Sequence, residues 1–273
     1  MAFLTVENQR KLYYVDEGFG QPVVFIHGWK ASSNVFERSS RALAETGKYR
    51  CVRYDHCGHM RSDLPTEPPT LATLAEDLRE VLTQLKLEKP ILVGWSMGGM
   101  TIFEYIRRYG CEDLDRVVIV DIGPRSMIDD TWAWGSYDLE KIRRDAVLME
   151  QDFDEFLRQY YCRSNPGYAE KSLEEQKAIV RERMVGQNSR VLSSLWTNFA
   201  VRDHRDVLPK ITCPAAIFHA GKMPACLPEA ARYCVEQIPG PTYRVFFEEN
   251  SHGLMTEAPN RFLAELKTFF EMT

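Results

Sequence analysis

The chain has 273 residues, a net charge of −5 at pH 7 and 44% hydrophobic residues. This length suits one large α/β domain, alone or with an insertion, and the mild acidity without a basic stripe argues against a nucleic-acid partner. No apolar run reaches the about 18 residues of a membrane helix, and the amino terminus lacks the basic and apolar regions of a secretion signal. We therefore expect a soluble, cytoplasmic protein with no membrane partner.

The cysteines also favour a cytoplasmic location. Their number is odd, they are scattered, and none is spaced as C-x-x-C, which argues against a zinc site or a disulfide framework and for reducing surroundings. We predict no metal and no cofactor. The cysteines are Cys51, Cys57, Cys111, Cys162, Cys213, Cys226 and Cys234.

The first part of the chain alternates between strand and helix patterns. Strands are predicted at residues 3–6, 12–15, 22–26, 51–55, 91–93 and 115–121, and helices at residues 34–46, 70–87 and 97–109. Thr73 and Glu76 have capping-box spacing near the start of the second helix. Such alternation predicts parallel strands joined by crossover helices.

The strand at residues 22–26 ends in His27-Gly28-Trp29. A glycine directly after a strand lets the backbone bend, so that the Trp29 N–H can point into a cleft. Together with the N–H of Met97, it would form a two-donor oxyanion hole. We interpret His27 as a structural histidine, with direct catalysis as the alternative, and Trp29 as pocket wall, with the core as the alternative.

A polar loop follows the strand at residues 51–55. Residues 55–62 resemble the pattern D-x-R-G-x-G-x-S, with Cys57 and Met60 at the Arg and second Gly positions. His56 and His59 lie on this loop without acidic or thiol partners at metal-ligand spacing. We predict that both are surface residues.

Residues 94–98 form the pattern G-x-S-x-G between a buried strand and a helix. In this position Ser96 sits on a sharp strand-to-helix bend that exposes its hydroxyl, and the glycines allow helix and strand to approach closely. The helix directs N–H groups and a positive dipole end toward an oxyanion. We predict that Ser96 is a nucleophile; an ordinary Gly-rich turn is the alternative.

Residues 125–205 lack the strand pattern and are rich in aromatic residues. We interpret them as a helical cap over the cleft, inserted between core segments at residues 1–124 and 206–273. Its aromatics could form the cap's own core, and we expect a minority to face the substrate. Further strands are predicted at residues 215–219 and 242–247, and helices at residues 228–238 and 259–271.

A serine hydroxyl needs a base, and His252 directly follows the last predicted strand. With HGW at residue 27, the loop at residue 55, GWSMGG at residue 94 and SHG at residue 251, the chain resembles the α/β-hydrolase fold superfamily over essentially its whole length. It is similar in particular to bacterial esterases also described as cofactor-free haloperoxidases or perhydrolases. The resemblance implies an eight-stranded, mostly parallel sheet flanked by helices, and a triad in the order Ser96, acid, His252.

The acid is where the chain departs from the pattern of these relatives. Many of them carry it after the strand that corresponds to residues 215–219, where this chain has Pro224. The superfamily's other known position is the end of the strand that follows the nucleophile helix, which is Asp121 here. We assign the acid to Asp121. The alternatives are Asp203, Asp206, Glu248 and Glu249, of which the first two look like surface or hinge residues.

The sequence is compatible with three functions. The leading hypothesis is a serine hydrolase that cleaves an ester, thioester or lactone of a small apolar or aromatic acyl compound. The second is a cofactor-independent dioxygenase of a heteroaromatic compound that uses a His-Asp pair as base, and the third is a non-catalytic ligand receptor. The partner would be a small molecule, with the oligomeric state open between monomer and homodimer. Predicted substrate-binding residues are Trp29, Trp95, Trp132 and Trp134.

Overall fold

The computed structural model describes residues 2–272, and within them eight strands form one sheet in the order β1-β2-β4-β3-β5-β6-β7-β8. The pairs β1–β2 and β2–β4 are antiparallel and the others are parallel. This arrangement confirms the predicted fold class. The strands are β1 (Ala2–Thr5), β2 (Lys11–Gly18), β3 (Gln21–Ile26), β4 (Tyr49–Tyr54), β5 (Ile91–Trp95), β6 (Arg116–Val120), β7 (Ala215–Ala220) and β8 (Thr242–Phe247).

The central strands are apolar because both of their faces are covered. All six residues of β7, and the last four of both β3 and β6, are buried. Parallel neighbours need crossover connections, which helices supply on both faces of the sheet. The helices of the sheet region are α1 (Glu37–Ala44), α2 (Leu71–Gln84), α3 (Met97–Tyr109), α9 (Pro228–Gln237), α10 (Leu254–Glu257) and α11 (Pro259–Phe270). Short 3-10 helices lie at Glu7–Gln9, Ser33–Phe36 and Leu208–Lys210.

The start of α2 corrects one prediction. The capping box joins Thr70 and Thr73, not Thr73 and Glu76: the Thr70 side chain accepts from the Thr73 N–H and the Thr73 side chain accepts from the Thr70 N–H. Thr70 ends the preceding proline-containing loop in an extended conformation, which is the geometry of an N-cap. Glu76 instead forms an ion pair with Arg108 on α3.

Residues 125–205, called the cap segment below, carry helices between β6 and β7. Their aromatic side chains pack on one another, with the rings of Phe156 and Trp196 centred 5.8 Å apart and both side chains fully buried. The division of the chain at residues 125 and 206 stays a prediction. The cap helices are α4 (Leu139–Gln151), α5 (Phe153–Ser164), α6 (Pro166–Ala169), α7 (Leu173–Arg183) and α8 (Ser189–Val201).

A buried ionic cluster ties the end of the cap segment to α3. The carboxylate of Glu104 lies 3.2 Å from His204 Nε2 and accepts a hydrogen bond from Arg202 at 3.0 Å. Glu104 and His204 are both excluded from solvent.

None of the helices in residues 2–272 has the length and apolar content that a bilayer span requires.

Candidate active site

Ser96 occupies the bend between β5 and α3. Its φ of 55° and ψ of −121° lie outside the usual regions for a non-glycine residue, and such a conformation costs about 1–3 kcal/mol. A Cβ on Gly98 would lie 2.1 Å from the Ile26 carbonyl oxygen, and one on Gly94 would lie 2.5 Å from the Gly98 oxygen. Only glycine therefore fits at either position. The bend leaves Ser96 half-buried.

Asp121 and His252 form a direct pair at the same edge of the sheet. Asp121 directly follows β6, and its Oδ2 lies 2.6 Å from His252 Nδ1. The Asp121 side chain is fully buried, whereas that of His252 is 30% exposed. An ionised carboxylate only accepts hydrogen bonds, so Nδ1 carries the proton in this pair. The other ring nitrogen, Nε2, is then unprotonated and can accept a proton.

Two backbone groups hold the Asp121 carboxylate. Oδ1 accepts from the Ala220 N–H at 3.0 Å and Oδ2 accepts from the Ala225 N–H at 3.1 Å. These residues flank the loop after β7 in which the sequence has Pro224 instead of an acid. Sequence reasoning missed both donors, because every residue except proline carries an N–H and the sequence gives no signal for its direction.

Trp95 links the serine bend to the histidine. Its indole Nε1 donates to the backbone carbonyl of His252 at 2.8 Å, and the indole and imidazole rings are centred 5.1 Å apart. Ser96 is the next residue, and its N–H donates to the Val120 carbonyl directly before Asp121. The Ser96 hydroxyl itself makes no hydrogen bond to another residue within residues 2–272. Of the three predicted triad residues, His252 and Asp121 make a direct contact, and Ser96 adjoins them through the contacts of Trp95 and Val120.

The predicted oxyanion donors lie beside the bend. A Cβ on Gly28 would lie 3.1 Å from the Ser96 Cβ, so the turn that carries Trp29 passes directly alongside the serine. Met97 is the first residue of α3, where backbone N–H groups have no intrahelical acceptor. Among the described residues, neither the Trp29 N–H nor the Met97 N–H has a protein acceptor. Their role as oxyanion donors stays a prediction.

A family model supports the resemblance seen in the motifs. The model described as the alpha/beta hydrolase fold matches residues 21–258, which is most of the chain. The chain belongs to the α/β-hydrolase fold family. This match includes the Ser96 bend, Asp121 and His252.

Individual members of the α/β-hydrolase fold family are similar over different lengths. A non-heme chloroperoxidase of Kitasatospora aureofaciens is 34% identical over 47% of this chain and 46% of its own. The chain thus spans about half the length of the first curated relatives that it matches, 44% to 46%. The structure of an esterase from Exiguobacterium antarcticum is similar, with 28% sequence identity and a TM-score of 0.85. The structure of a bromoperoxidase from Bacillus anthracis has 27% sequence identity and a TM-score of 0.86. Each of these two structures matches 99% of both chains.

Within this α/β-hydrolase fold, the prediction that His56 and His59 lie at the surface is wrong. Both are fully buried, as is His27, and the rings of His56 and His59 are centred 4.4 Å and 5.2 Å from that of His27. The cap segment covers this loop, since a Cβ on Gly58 would lie 2.7 Å from Val191 of α8. Residues 55–62 alone do not show that a distant segment covers them.

His27 connects two loops of the core. Its Nδ1 donates to the Gly28 carbonyl at 2.8 Å, and its Nε2 accepts from the His56 N–H at 3.0 Å. Burial lowers the pKa of all three histidines, that of His59 to about 3, so they are neutral at pH 7. These contacts support the interpretation of His27 as a structural residue.

The alternative acids have other surroundings. Asp203 accepts hydrogen bonds from Arg205, and Asp206 pairs with Arg107. Glu249 pairs with Lys222 at 2.7 Å, and Glu248 is exposed. Asp121 is thus the carboxylate that contacts His252 among the candidates considered.

The tryptophans occupy two regions. The half-buried Trp29 donates from Nε1 to the Leu192 carbonyl of α8 at 2.9 Å, and its ring packs edge-on against Tyr160 of α5. Trp132 is buried, donates to the Arg125 carbonyl, and packs against Trp134. The place of these side chains in a substrate pocket stays a prediction.

Proposed function

We propose that this protein is a serine hydrolase that cleaves an ester, thioester or lactone of a small apolar or aromatic acyl compound. The observation that carries the proposal is the 2.6 Å contact between His252 Nδ1 and the buried Asp121 carboxylate, beside the strained bend at Ser96. A carboxylate on Nδ1 fixes the tautomer in which Nε2 accepts a proton and stabilises the imidazolium that results. The esterase among the similar structures supports the same reaction class.

In the first half-reaction, the Ser96 oxygen attacks the substrate carbonyl carbon while His252 Nε2 takes the hydroxyl proton. The carbonyl π electrons move to oxygen, and the resulting oxyanion accepts hydrogen bonds from the Trp29 and Met97 N–H groups. Collapse of this intermediate breaks the bond to the leaving alcohol or thiol, which takes the proton from His252. The product is an acyl-enzyme on Ser96.

In the second half-reaction, water attacks the acyl carbon and His252 accepts its proton. A second tetrahedral intermediate collapses, Ser96 leaves and regains the proton, and the carboxylic acid is released. Removal of an oxyanion donor costs about 100- to 1000-fold in kcat where it has been measured. The preference for an apolar or aromatic acyl group is supported by the Trp29 ring, which contacts Phe156 and Tyr160 of the cap segment.

Turnover of p-nitrophenyl acetate distinguishes the proposed serine hydrolase from a non-catalytic receptor. The purified protein should hydrolyse the ester, and Ser96→Ala should abolish hydrolysis while retaining the unfolding midpoint of the parent. Absence of turnover by the parent protein, with this and longer acyl esters, would favour the receptor. The control variant Ser164→Ala changes a serine of the cap segment that bonds only the Tyr160 carbonyl, and should leave turnover intact.

A dioxygenase is the second candidate, because the His252–Asp121 pair is complete without the Ser96 hydroxyl. In that reaction His252 would remove a hydroxyl proton from a heteroaromatic substrate, and the substrate anion would react with molecular oxygen as oxidant. Oxygen uptake with a 3-hydroxy-4-quinolone that survives Ser96→Ala but not His252→Ala would favour it. Ester turnover that depends on Ser96, without oxygen uptake, favours the hydrolase.

A further inference from the structure

Lys30 lies at the junction between the core and the cap segment. It directly follows Trp29, in a left-handed backbone conformation with φ of 56°. Its ammonium group lies 4.9 Å from the centre of the Tyr161 ring of α5. The guanidinium carbon of Arg183, the last residue of α7, lies 4.6 Å from the same ring centre. One cation from the core and one from the cap thus meet on one aromatic ring.

The charge of this pair is not neutralised by the protein. Within residues 2–272, neither Lys30 nor Arg183 forms an ion pair with an aspartate or glutamate. Several other arginines of the cap segment do form such pairs. Burial and the neighbouring Arg183 lower the pKa of Lys30 to about 8. Arg183 is exposed and Lys30 is partly buried, and the effect of Arg183 on the Lys30 pKa shows that the two cations repel each other. A bound anion would offset that repulsion.

Tyr161 supplies a second, independent observation. This residue is only 6% exposed, and within residues 2–272 its hydroxyl has no hydrogen-bond partner. A buried polar atom without a partner is uncommon and calls for a ligand or another explanation. Burial raises the pKa of this phenol to about 12, so the hydroxyl keeps its proton and can donate it to an anion.

Aromatic rings connect this place with the candidate catalytic centre. The Trp29 ring lies 5.8 Å from that of Tyr160, which in turn lies 5.8 Å from that of Tyr161. Trp29 also carries one of the two proposed oxyanion donors. A substrate held at Ser96 could therefore extend along Trp29 and Tyr160 and end at the two cations.

We propose that Lys30, Arg183 and the Tyr161 hydroxyl bind a carboxylate at the far end of the substrate. The substrate class is then an ester or thioester whose acyl chain ends in a carboxylate, such as a half-ester of a dicarboxylic acid. This inference rests on the proposed hydrolase function for the position of the ester at Ser96. The anion site itself rests on the geometry of the three side chains.

The direct test compares two substrate series. Mono-p-nitrophenyl esters of succinic, adipic and suberic acids are measured against p-nitrophenyl esters of monocarboxylic acids with the same number of carbons. The ratio of kcat/KM for the charged ester to that for the neutral one should fall about tenfold in Lys30→Met and in Arg183→Gln, the effect of a lost charged hydrogen bond. Lys30→Arg, which keeps the charge, should retain the ratio. An unchanged ratio in both charge-removing variants would overturn the proposal.

Matched controls come from the same helix as Arg183. Arg181→Gln and Lys177→Met remove the same charges from positions on α7 that are exposed, as Arg183 is, but that lack its contact with the Tyr161 ring, and should leave the ratio unchanged. A fall as large as that in the Arg183 and Lys30 variants would mean that net charge, not the site, selects the substrate. That result would also overturn the proposal.

Calorimetry separates the site from the proposed reaction. Adipic acid monoamide has the carboxylate but no ester, so its binding does not depend on hydrolysis. Binding that is weakened about tenfold in Lys30→Met supports the site even if no ester is turned over. No binding of the monoamide, or binding of inorganic phosphate in its place with the same dependence on Lys30, would contradict a carboxylate site while leaving the hydrolase proposal intact.

Discussion

The Asp121 carboxylate accepts a hydrogen bond from the Ala225 N–H, so the loop after β7 holds in place an acid that stands after β6. In many relatives this loop is expected to supply the acid itself. Here Pro224 cannot do so, but the loop keeps contact with the site through its backbone. The pair formed by Asp121 and His252 therefore depends on two sheet-edge loops at once.

Asp121→Asn should lower kcat for ester hydrolysis by about 10⁴-fold, because the amide no longer holds the imidazole in the tautomer that accepts a proton at Nε2. Steady-state kinetics with a p-nitrophenyl ester measure the loss. Glu249→Gln is the control, since this exposed acid pairs with Lys222. An Asp121→Asn variant with nearly full activity would show that another group orients His252.

Trp95→Phe should lower kcat/KM about tenfold, because the His252 backbone loses the indole donor at 2.8 Å and the imidazole is less well positioned. The free energy of unfolding should fall by about 1 kcal/mol, the typical net value of one hydrogen bond. Both are measured on the same preparation, by ester turnover and by urea titration. Loss of stability without loss of turnover would limit Trp95 to a structural role.

Most of the fold and the contact between Asp121 and His252 in the candidate site could be predicted from the sequence. Apolar runs mark β3, β5, β6 and β7 because both faces of these strands are buried, and Ser96 is recognisable because its bend needs Gly94 and Gly98. The buried state of His56 and His59 was not predictable, because α8 covers their loop from more than a hundred residues away. The surroundings of Lys30 were not predictable either, because Tyr161 and Arg183 lie in the cap segment, far from Lys30 in the sequence.

Glu104→Gln should destabilise the protein by about 3 kcal/mol at pH 7, because His204, Arg202 and Arg107 lose a buried carboxylate. Burial raises the pKa of Glu104, but His204 and Arg202 outweigh it and lower this pKa from 4.5 to about 2. The folded-state pKa lies below the unfolded one, so the contribution is fully present above pH 4.5 and is lost as the pH falls toward 2.

Urea unfolding between pH 7 and pH 3 checks this prediction. The difference between the parent protein and Glu104→Gln should shrink as the pH falls below 4.5. The control variant Glu76→Gln breaks a more exposed ion pair with Arg108 and should cost less than about 1 kcal/mol. A difference that stays constant over this range would assign the loss to packing and not to charge.

Gly98→Ala should prevent the normal approach of α3 to β3 and lower the free energy of unfolding by about 3 kcal/mol or more, since the new Cβ would meet the Ile26 carbonyl oxygen at 2.1 Å. Ester turnover should fall with it, because the same bend carries Ser96. Gly167→Ala is the matched control, as its nearest contact would be at 3.5 Å. Equal stability of the two variants would contradict the close approach of helix and strand.

An activated hydroxyl at residue 96 is the central requirement of the proposed mechanism. Intact-protein and peptide mass spectrometry after treatment with a fluorophosphonate probe measures it directly. We predict one phosphonyl group per chain, on the peptide that contains Ser96, and its absence in Ser96→Ala and near-absence in His252→Ala. An unmodified protein, or label that persists on another residue in Ser96→Ala, would contradict the proposed mechanism.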